Sequence, residues 1–217
     1  MKGLIRNNFY TIQASLKASM AVTMVVLICV IISALRSPEY TNMINIALFA
    51  SMGSFAGLSF TLIYNDSLSK WNRFELTTPI NRKDVIKGRY ITFGALATFA
   101  LTMMILIYGV FNFITGGGNA ERFGYALTFG VVFMLFIPAI THPLMLWLGM
   151  DKGQIIFMVS IGISLLFFIG TSVVLDDVLK GFEYPNLIYR VGVVSVSLLV
   201  FMSSYFISQK QYAKKDL

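Results

Sequence analysis

The chain has 217 residues, of which 57% are hydrophobic and only 12% are charged, and its formal net charge is +7. Soluble domains average about 25% charged residues, so this composition indicates a membrane protein rather than a soluble globular domain. The single cysteine, Cys29, excludes an internal disulfide, and membrane topology explains the positive charge better than nucleic-acid binding does.

The N-terminal segment, residues 1–17, has the pattern of an amphipathic helix. Its apolar side chains recur on one helical face, and its polar side chains Lys2, Arg6, Gln13 and Lys17 occupy another. The apolar set is Leu4, Ile5, Phe9, Ile12 and Leu16. We predict that this helix lies in the inner membrane interface before the chain turns into the membrane. A cytosolic helix packed on a partner would show the same pattern.

Six apolar stretches are long enough to cross a bilayer as helices, since a span requires roughly 20 mainly apolar residues. They show no alternation of apolar and polar residues, which a barrel strand would require. The predicted spans are about 18–35, 43–63, 91–112, 123–148, 154–175 and 191–207. The sequence therefore predicts an all-α polytopic membrane protein, with a single transmembrane domain over residues 1–217.

The distribution of lysine and arginine predicts the orientation of these spans. Thirteen of these cations lie on the side of the two termini, and four lie on the opposite side. Cytoplasmic loops are enriched in Lys and Arg, so we expect both termini to be cytoplasmic.

The segment 65–90, between the second and third predicted spans, is the most polar part of the chain and is expected in the cytoplasm. Pro79 lies at its centre and predicts a break between two short helices. We expect Asn65-Asp66-Ser67 to end the second span and cap the first short helix. Asn81, three residues before Asp84, is expected to cap the second, which would run into the third span.

The groups that a membrane enzyme requires are missing from the sequence. There is one histidine, and none of the predicted spans contains an acidic residue, so paired carboxylates and histidine-based zinc motifs are excluded from the predicted membrane interior. Pro138, His142 and Pro143 form a possible hinge in the fourth span. His142 is either a pH- or substrate-sensing group there, or a neutral imidazole that satisfies carbonyls freed by Pro143 or reaches interfacial water. The second interpretation is favoured because freed backbone groups in lipid require partners.

The stretch LTTPINRKDVIKGRY, residues 76–90, resembles the signature "lPisRkeiv.gKy" of ABC-2 type transporter permeases. The Pro-Ile-x-Arg-Lys core and the Gly-basic-Tyr ending both match, with Arg89 in place of the commoner lysine. The layout of six spans after an N-terminal helix is also similar to that family. The short chain, with no large outer domain, resembles the bacterial permeases that export amphipathic peptides, the phenol-soluble-modulin exporter type.

The resemblance implies a permease subunit in a bacterial plasma membrane, surrounded by lipid and paired with a second identical or related permease chain. A separate cytosolic ABC ATPase would bind ATP and Mg²⁺, with no cofactor on this chain, and drive an amphipathic peptide or other hydrophobic substrate outward. The residues implied to contact the ATPase are Arg73, Phe74, Glu75, Leu76, Thr78, Pro79, Ile80 and Arg82, with Asp151 and Lys152 as a smaller second contact.

Two other functions remain open at this stage. One is a membrane immunity or sensor protein that binds a toxic peptide without pumping it. The other is a channel or carrier that works without ATP, although the lack of acidic residues in the predicted spans argues against proton coupling.

Overall fold

The computed structural model describes residues 2–36, 43–69, 81–116, 120–178 and 187–214. These ranges form helices α1 (Lys2–Arg36), α2 (Met43–Leu68), α3 (Arg82–Thr115), α4 (Ala120–Leu148), α5 (Gly153–Val178) and α6 (Leu187–Ala213), with a 3₁₀ turn at Met150–Lys152. Each of the six helices contains a stretch long and apolar enough to cross a bilayer. The prediction of an all-α membrane protein with six spanning helices is confirmed.

Helix α4 occupies the centre of the bundle. It packs against α2, α3, α5 and α6, while α1 packs on α2 and α3. The apolar content of α4 extends around its circumference, as expected of a helix surrounded by others. Helices α1, α5 and α6 instead leave most of their apolar surface exposed. The bundle therefore has a buried α2–α3–α4 core and three helices whose outer faces suit a lipid environment.

Helix α1 differs from its prediction. The proposed turn between an interfacial helix at 1–17 and the first span is wrong, because α1 runs without a break over 35 residues, a length of about 50 Å. No glycine or proline interrupts residues 4–36, so the chain has no local reason to bend. The two predicted faces are present: Leu4, Phe9, Ile12 and Leu16 pack on the bundle core, while the polar set is exposed. The partner of the apolar face is the protein itself.

Asn81 caps α3 as predicted. Its backbone is extended (φ −65°, ψ 126°), and its side chain accepts a hydrogen bond from the Lys83 amide at 3.1 Å. At the opposite end of α3, Gly116 adopts the left-handed conformation (φ 63°) and donates its amide to the Asn112 carbonyl at 2.9 Å. This C-cap suits glycine, which has no Cβ to clash in that conformation.

Arg190 joins the beginnings of α4 and α6. Its Nη2 donates to the Glu121 carbonyl oxygen at 3.2 Å. The guanidinium lies directly on Gly124, where a Cβ would overlap it. Glycine at this position therefore permits the close approach of Arg190 to the first turns of α4.

We predict that Gly124→Ala is about 1 kcal/mol less stable than Gly109→Ala, because both variants gain the helix propensity of alanine but the methyl group at position 124 also displaces Arg190 from the Glu121 carbonyl. The measurement is the thermal unfolding midpoint of the detergent-solubilised chain. Gly109→Ala is the matched control, since a Cβ at this helical glycine meets no atom within 4 Å. Equal midpoints for the two variants would contradict the proposed packing role of Gly124.

Candidate functional site

The segment 65–90, which contains most of the predicted ATPase contacts and is called the predicted coupling segment below, is described only in part. Residues 70–80 lie outside the described residues, and with them the predicted contact residues Arg73, Phe74, Glu75, Leu76, Thr78, Pro79 and Ile80. Arg82 is the first residue of α3, and Asp151 and Lys152 lie exposed in the 3₁₀ turn between α4 and α5. Pro138, His142 and Pro143 all lie within α4, which is assigned as helix through both prolines.

Arg82 and the 3₁₀ turn share one end of the bundle, which we call the terminal end because α1 begins and α6 ends there. Arg82 Nη1 donates to the carbonyl oxygen of Ala213, the last residue of α6, at 3.0 Å. Gly153, next to the turn, lies beside the rings of Phe60 and Tyr64 in the last third of α2. The described parts of both predicted ATPase contacts are thus brought to the same end.

Seven residues beyond Arg82, a buried ion pair joins α3 to α2. Arg89 Nη2 lies 3.2 Å from Asp66 Oδ2, and the two side chains are 1% and 3% exposed. Isolated charges are costly to bury, and a buried carboxylate is stabilised by a cation that also donates a hydrogen bond to it. The ion pair therefore fixes the position of the first turns of α3 against the end of α2.

Asp66 corrects one prediction. It does not cap a short helix, because α2 continues to Leu68 and includes it. It lies three residues beyond the predicted span 43–63, which contains no acidic residue, and within the longer candidate span Ala47–Leu68. The polar run Asn65-Asp66-Ser67 predicts the end of the span from the sequence alone. Only the contact with Arg89 shows why a carboxylate is accommodated there.

The next residue, Tyr90, ends the signature and connects α3 to α6. Its hydroxyl lies 2.6 Å from Ser204 Oγ and 3.0 Å from Ser208 Oγ. The ring is enclosed by other aromatic rings, with centroid distances of 5.1 Å to Phe201 and 5.4 Å to Tyr205. Ser204 and Ser208 lie four residues apart, so both are on the buried face of α6. A search of the sequence for catalytic serines does not detect this shared face.

The two serines also reach α4 beside its second proline. Pro143 cannot donate a main-chain hydrogen bond to the carbonyl four residues earlier, at Ala139. Ser204 Oγ donates to that oxygen at 2.6 Å. His142 Nδ1 lies 2.9 Å from Ser208 Oγ, and the imidazole is fully buried. The prediction that His142 satisfies the carbonyl freed by Pro143 is therefore wrong: Ser204 does so, and His142 bonds to Ser208.

Two further side-chain hydrogen bonds join helices of the bundle. Asn8 Nδ2 on α1 donates to Thr92 Oγ1 on α3 at 3.0 Å, and Thr141 Oγ1 on α4 donates to Ser160 Oγ on α5 at 2.9 Å. All four residues are buried. Helices α3 and α4 are consequently hydrogen-bonded, through side chains, to α1 and α5 respectively.

The chemical capacity of this site is limited. Among the described residues, no group of three or more His, Cys, Asp and Glu side chains could hold a metal ion. The carboxylate of Asp66 is engaged with a cation, and His142 faces a serine and aromatic rings. The arrangement is suited to transmitting movement of α3 to α2, α4 and α6.

We predict that Asp66→Asn destabilises the protein by about 3–5 kcal/mol, because it leaves the Arg89 charge buried without a carboxylate. Expression level and thermal unfolding of the solubilised chain measure the effect. Asp151→Asn is the matched control, since Asp151 is exposed. A variant that removes both charges, Asp66→Leu with Arg89→Met, is expected to recover part of the loss. If Asp66→Asn were as stable as the control, the ion pair would not anchor α3.

Comparison with curated proteins and with solved structures finds no match. The family model for the ABC-2 family transporter protein matches residues 3–213, from the second residue of α1 to the last residue of α6. This family generally implies an ABC ATPase partner and pairing of permease chains. The resemblance first noted in residues 76–90 thus extends over nearly the whole sequence, and the chain belongs to the ABC-2 family of transporter proteins, as a multi-pass membrane transport subunit.

Proposed function

We propose that this chain is the permease subunit of an ATP-driven exporter that moves an amphipathic or hydrophobic substrate outward. An amphipathic peptide is the leading substrate class, supported by the resemblance of this short chain to peptide-exporting permeases. A separate cytosolic ATPase binds ATP and Mg²⁺, and this chain carries no cofactor of its own.

The observation that supports this function best is that the first turns of α3 are bonded to other helices at several points. The helix begins within the predicted coupling segment 65–90, with Arg82 bonded to the end of α6. About two turns further on, Arg89 bonds to α2 and the next residue, Tyr90, bonds to α6. A push on the segment before Asn81 would therefore reach two other helices, α2 and α6, within the first three turns of α3.

The proposed orientation puts the terminal end in the cytoplasm. An even number of spans places both termini on the same side, and the excess of Lys and Arg on that side favours the cytoplasm. The ATPase would then contact residues 73–82 and, through a second smaller contact, Asp151 and Lys152. Exposed apolar faces on α1, α5 and α6 are available for lipid and for a second permease chain.

Pro138 and Pro143 make α4 the proposed hinge. Each proline removes one main-chain hydrogen bond from the helix, which lowers its resistance to bending. The hydrogen bond from Ser204 to the Ala139 carbonyl places α6 against this weakened segment. Movement of α3 that alters the Tyr90–Ser204 contact would act on the hinge directly.

The first test is co-purification from native membranes. The tagged full-length chain is expected to retain an ATP-binding subunit, and the reconstituted complex to export amphipathic peptide only with hydrolysable ATP. Transport by the chain alone, or protection against a toxic peptide with an ATPase unable to hydrolyse ATP, would contradict the proposal. Those two results correspond to an ATP-independent carrier and to an immunity protein.

The second test reverses the charge of Arg82 at the start of α3. We predict that Arg82→Glu lowers ATPase association and export at least tenfold, corresponding to about 1.4 kcal/mol, without preventing membrane insertion. The neighbouring exposed residue provides the control Lys83→Glu, which makes the same charge change one position away. We expect Arg82→Glu to lose more ATPase association and export than Lys83→Glu. Full association and export in Arg82→Glu would show that Arg82 is not a coupling residue.

A further inference from the structure

Four hydrogen-bond contacts join five groups from α3, α4 and α6 in a single chain. His142 Nδ1 lies 2.9 Å from Ser208 Oγ, which lies 3.0 Å from the Tyr90 hydroxyl. The Tyr90 hydroxyl lies 2.6 Å from Ser204 Oγ, which in turn donates to the Ala139 carbonyl at 2.6 Å. The chain begins and ends on α4, passes twice through α6 and has Tyr90 of α3 at its centre.

The carbonyl at one end fixes the direction of every bond. A carbonyl oxygen only accepts, so Ser204 uses its single proton on Ala139. Ser204 must then accept from Tyr90, whose proton is thereby used. Tyr90 must accept from Ser208 in the same way. The three hydroxyls supply three protons for four contacts, so the fourth proton must come from His142 Nδ1.

The other imidazole nitrogen leads to the same assignment independently. His142 Nε2 is buried and has no hydrogen-bond partner among the described residues. A proton on Nε2 would bury an N–H donor without an acceptor, which proteins rarely do, and would also leave the Ser208 contact without its proton. A proton on Nδ1 leaves only a lone pair at the unpartnered position.

We infer that His142 is a neutral, Nδ1-protonated positioning residue that supplies the fourth proton and so holds the Tyr90 hydroxyl between α4 and α6. The mechanical importance of this role rests on the proposed function, because Tyr90 ends the segment through which the ATPase would act. The tautomer and the direction of the chain are independent of that function.

Nitrogen NMR of the full-length chain in lipid nanodiscs tests the assignment directly. The sequence contains a single histidine, so ¹⁵N-histidine labelling reports on His142 alone. The expected spectrum near neutral pH has a protonated, pyrrole-type Nδ1 and an unprotonated, pyridine-type Nε2. Ser208→Ala is expected to shift the Nδ1 signal because it removes the acceptor. A proton on Nε2, alone or together with one on Nδ1, would overturn the inference.

Three substitutions at the same position test the positioning role. The amide nitrogen of His142→Asn can occupy the position of Nδ1, that of His142→Gln reaches the position of Nε2, and His142→Leu has no donor. We expect Leu and Gln to lower the thermal unfolding midpoint of the solubilised chain and Asn to recover most of the loss. The ATP-dependent activity of the co-purified complex should follow the same order.

These measurements separate failure of the inference from failure of the proposed function. If Asn were no better than Leu in the unfolding measurement, the donor at Nδ1 would not position Tyr90, and the inference would be wrong. If the spectrum and the unfolding series met expectation but no ATPase co-purified, the proposed function would fail while the assigned proton chain remained.

Discussion

The structure depends on one constraint: a polar group buried between membrane-spanning helices has to find its partner inside the protein, because the bilayer core offers no water. The Asp66–Arg89 pair is the strongest case, since both charges are almost completely buried and their contact joins α2 to α3. The neighbouring hydroxyls obey the same constraint. Pro143 leaves the Ala139 carbonyl without a main-chain donor. Ser204 donates a hydrogen bond to this oxygen, and the contact joins α6 to α4.

The same constraint explains why α3 makes polar contacts with several other helices. Helix α3 packs against α1, α2, α4 and α6, and because lipid is as apolar as the helix interfaces, packing and hydrogen bonds between helices hold it there rather than the hydrophobic effect. Hydrogen bonds between helices are directional and few, and each contributes on the order of 0.6 kcal/mol in a membrane, rarely above about 1.7 kcal/mol. Such bonds at Thr92 and Tyr90 position α3 against α1 and α6 and still permit movement.

That balance is what a permease driven from outside the membrane would require. Under the proposed function, the segment that contacts the ATPase would have to be stiff enough to transmit a displacement, and its connections to the spans would have to be weak enough to exchange during transport. The capped start of α3 provides stiffness. The serine and tyrosine hydroxyls provide bonds that can be remade without burying a new charge, whereas separating Asp66 from Arg89 would be far more costly.

The sequence by itself determined the helical class, the six spans and the cap at Asn81, because these depend on runs of apolar residues and on local hydrogen bonding. The signature in residues 76–90 was also readable, because it is continuous along the chain. The sequence could not reveal that α1 is uninterrupted, because an amphipathic helix has the same pattern whether its apolar face contacts lipid or the rest of the bundle. Nor could it pair Asp66 with Arg89, or Ser204 with Ala139, because these partners are 23 and 65 residues apart and their contact exists only once the helices have packed. The tertiary structure decided those pairings, since burial removes every alternative partner that water would otherwise supply.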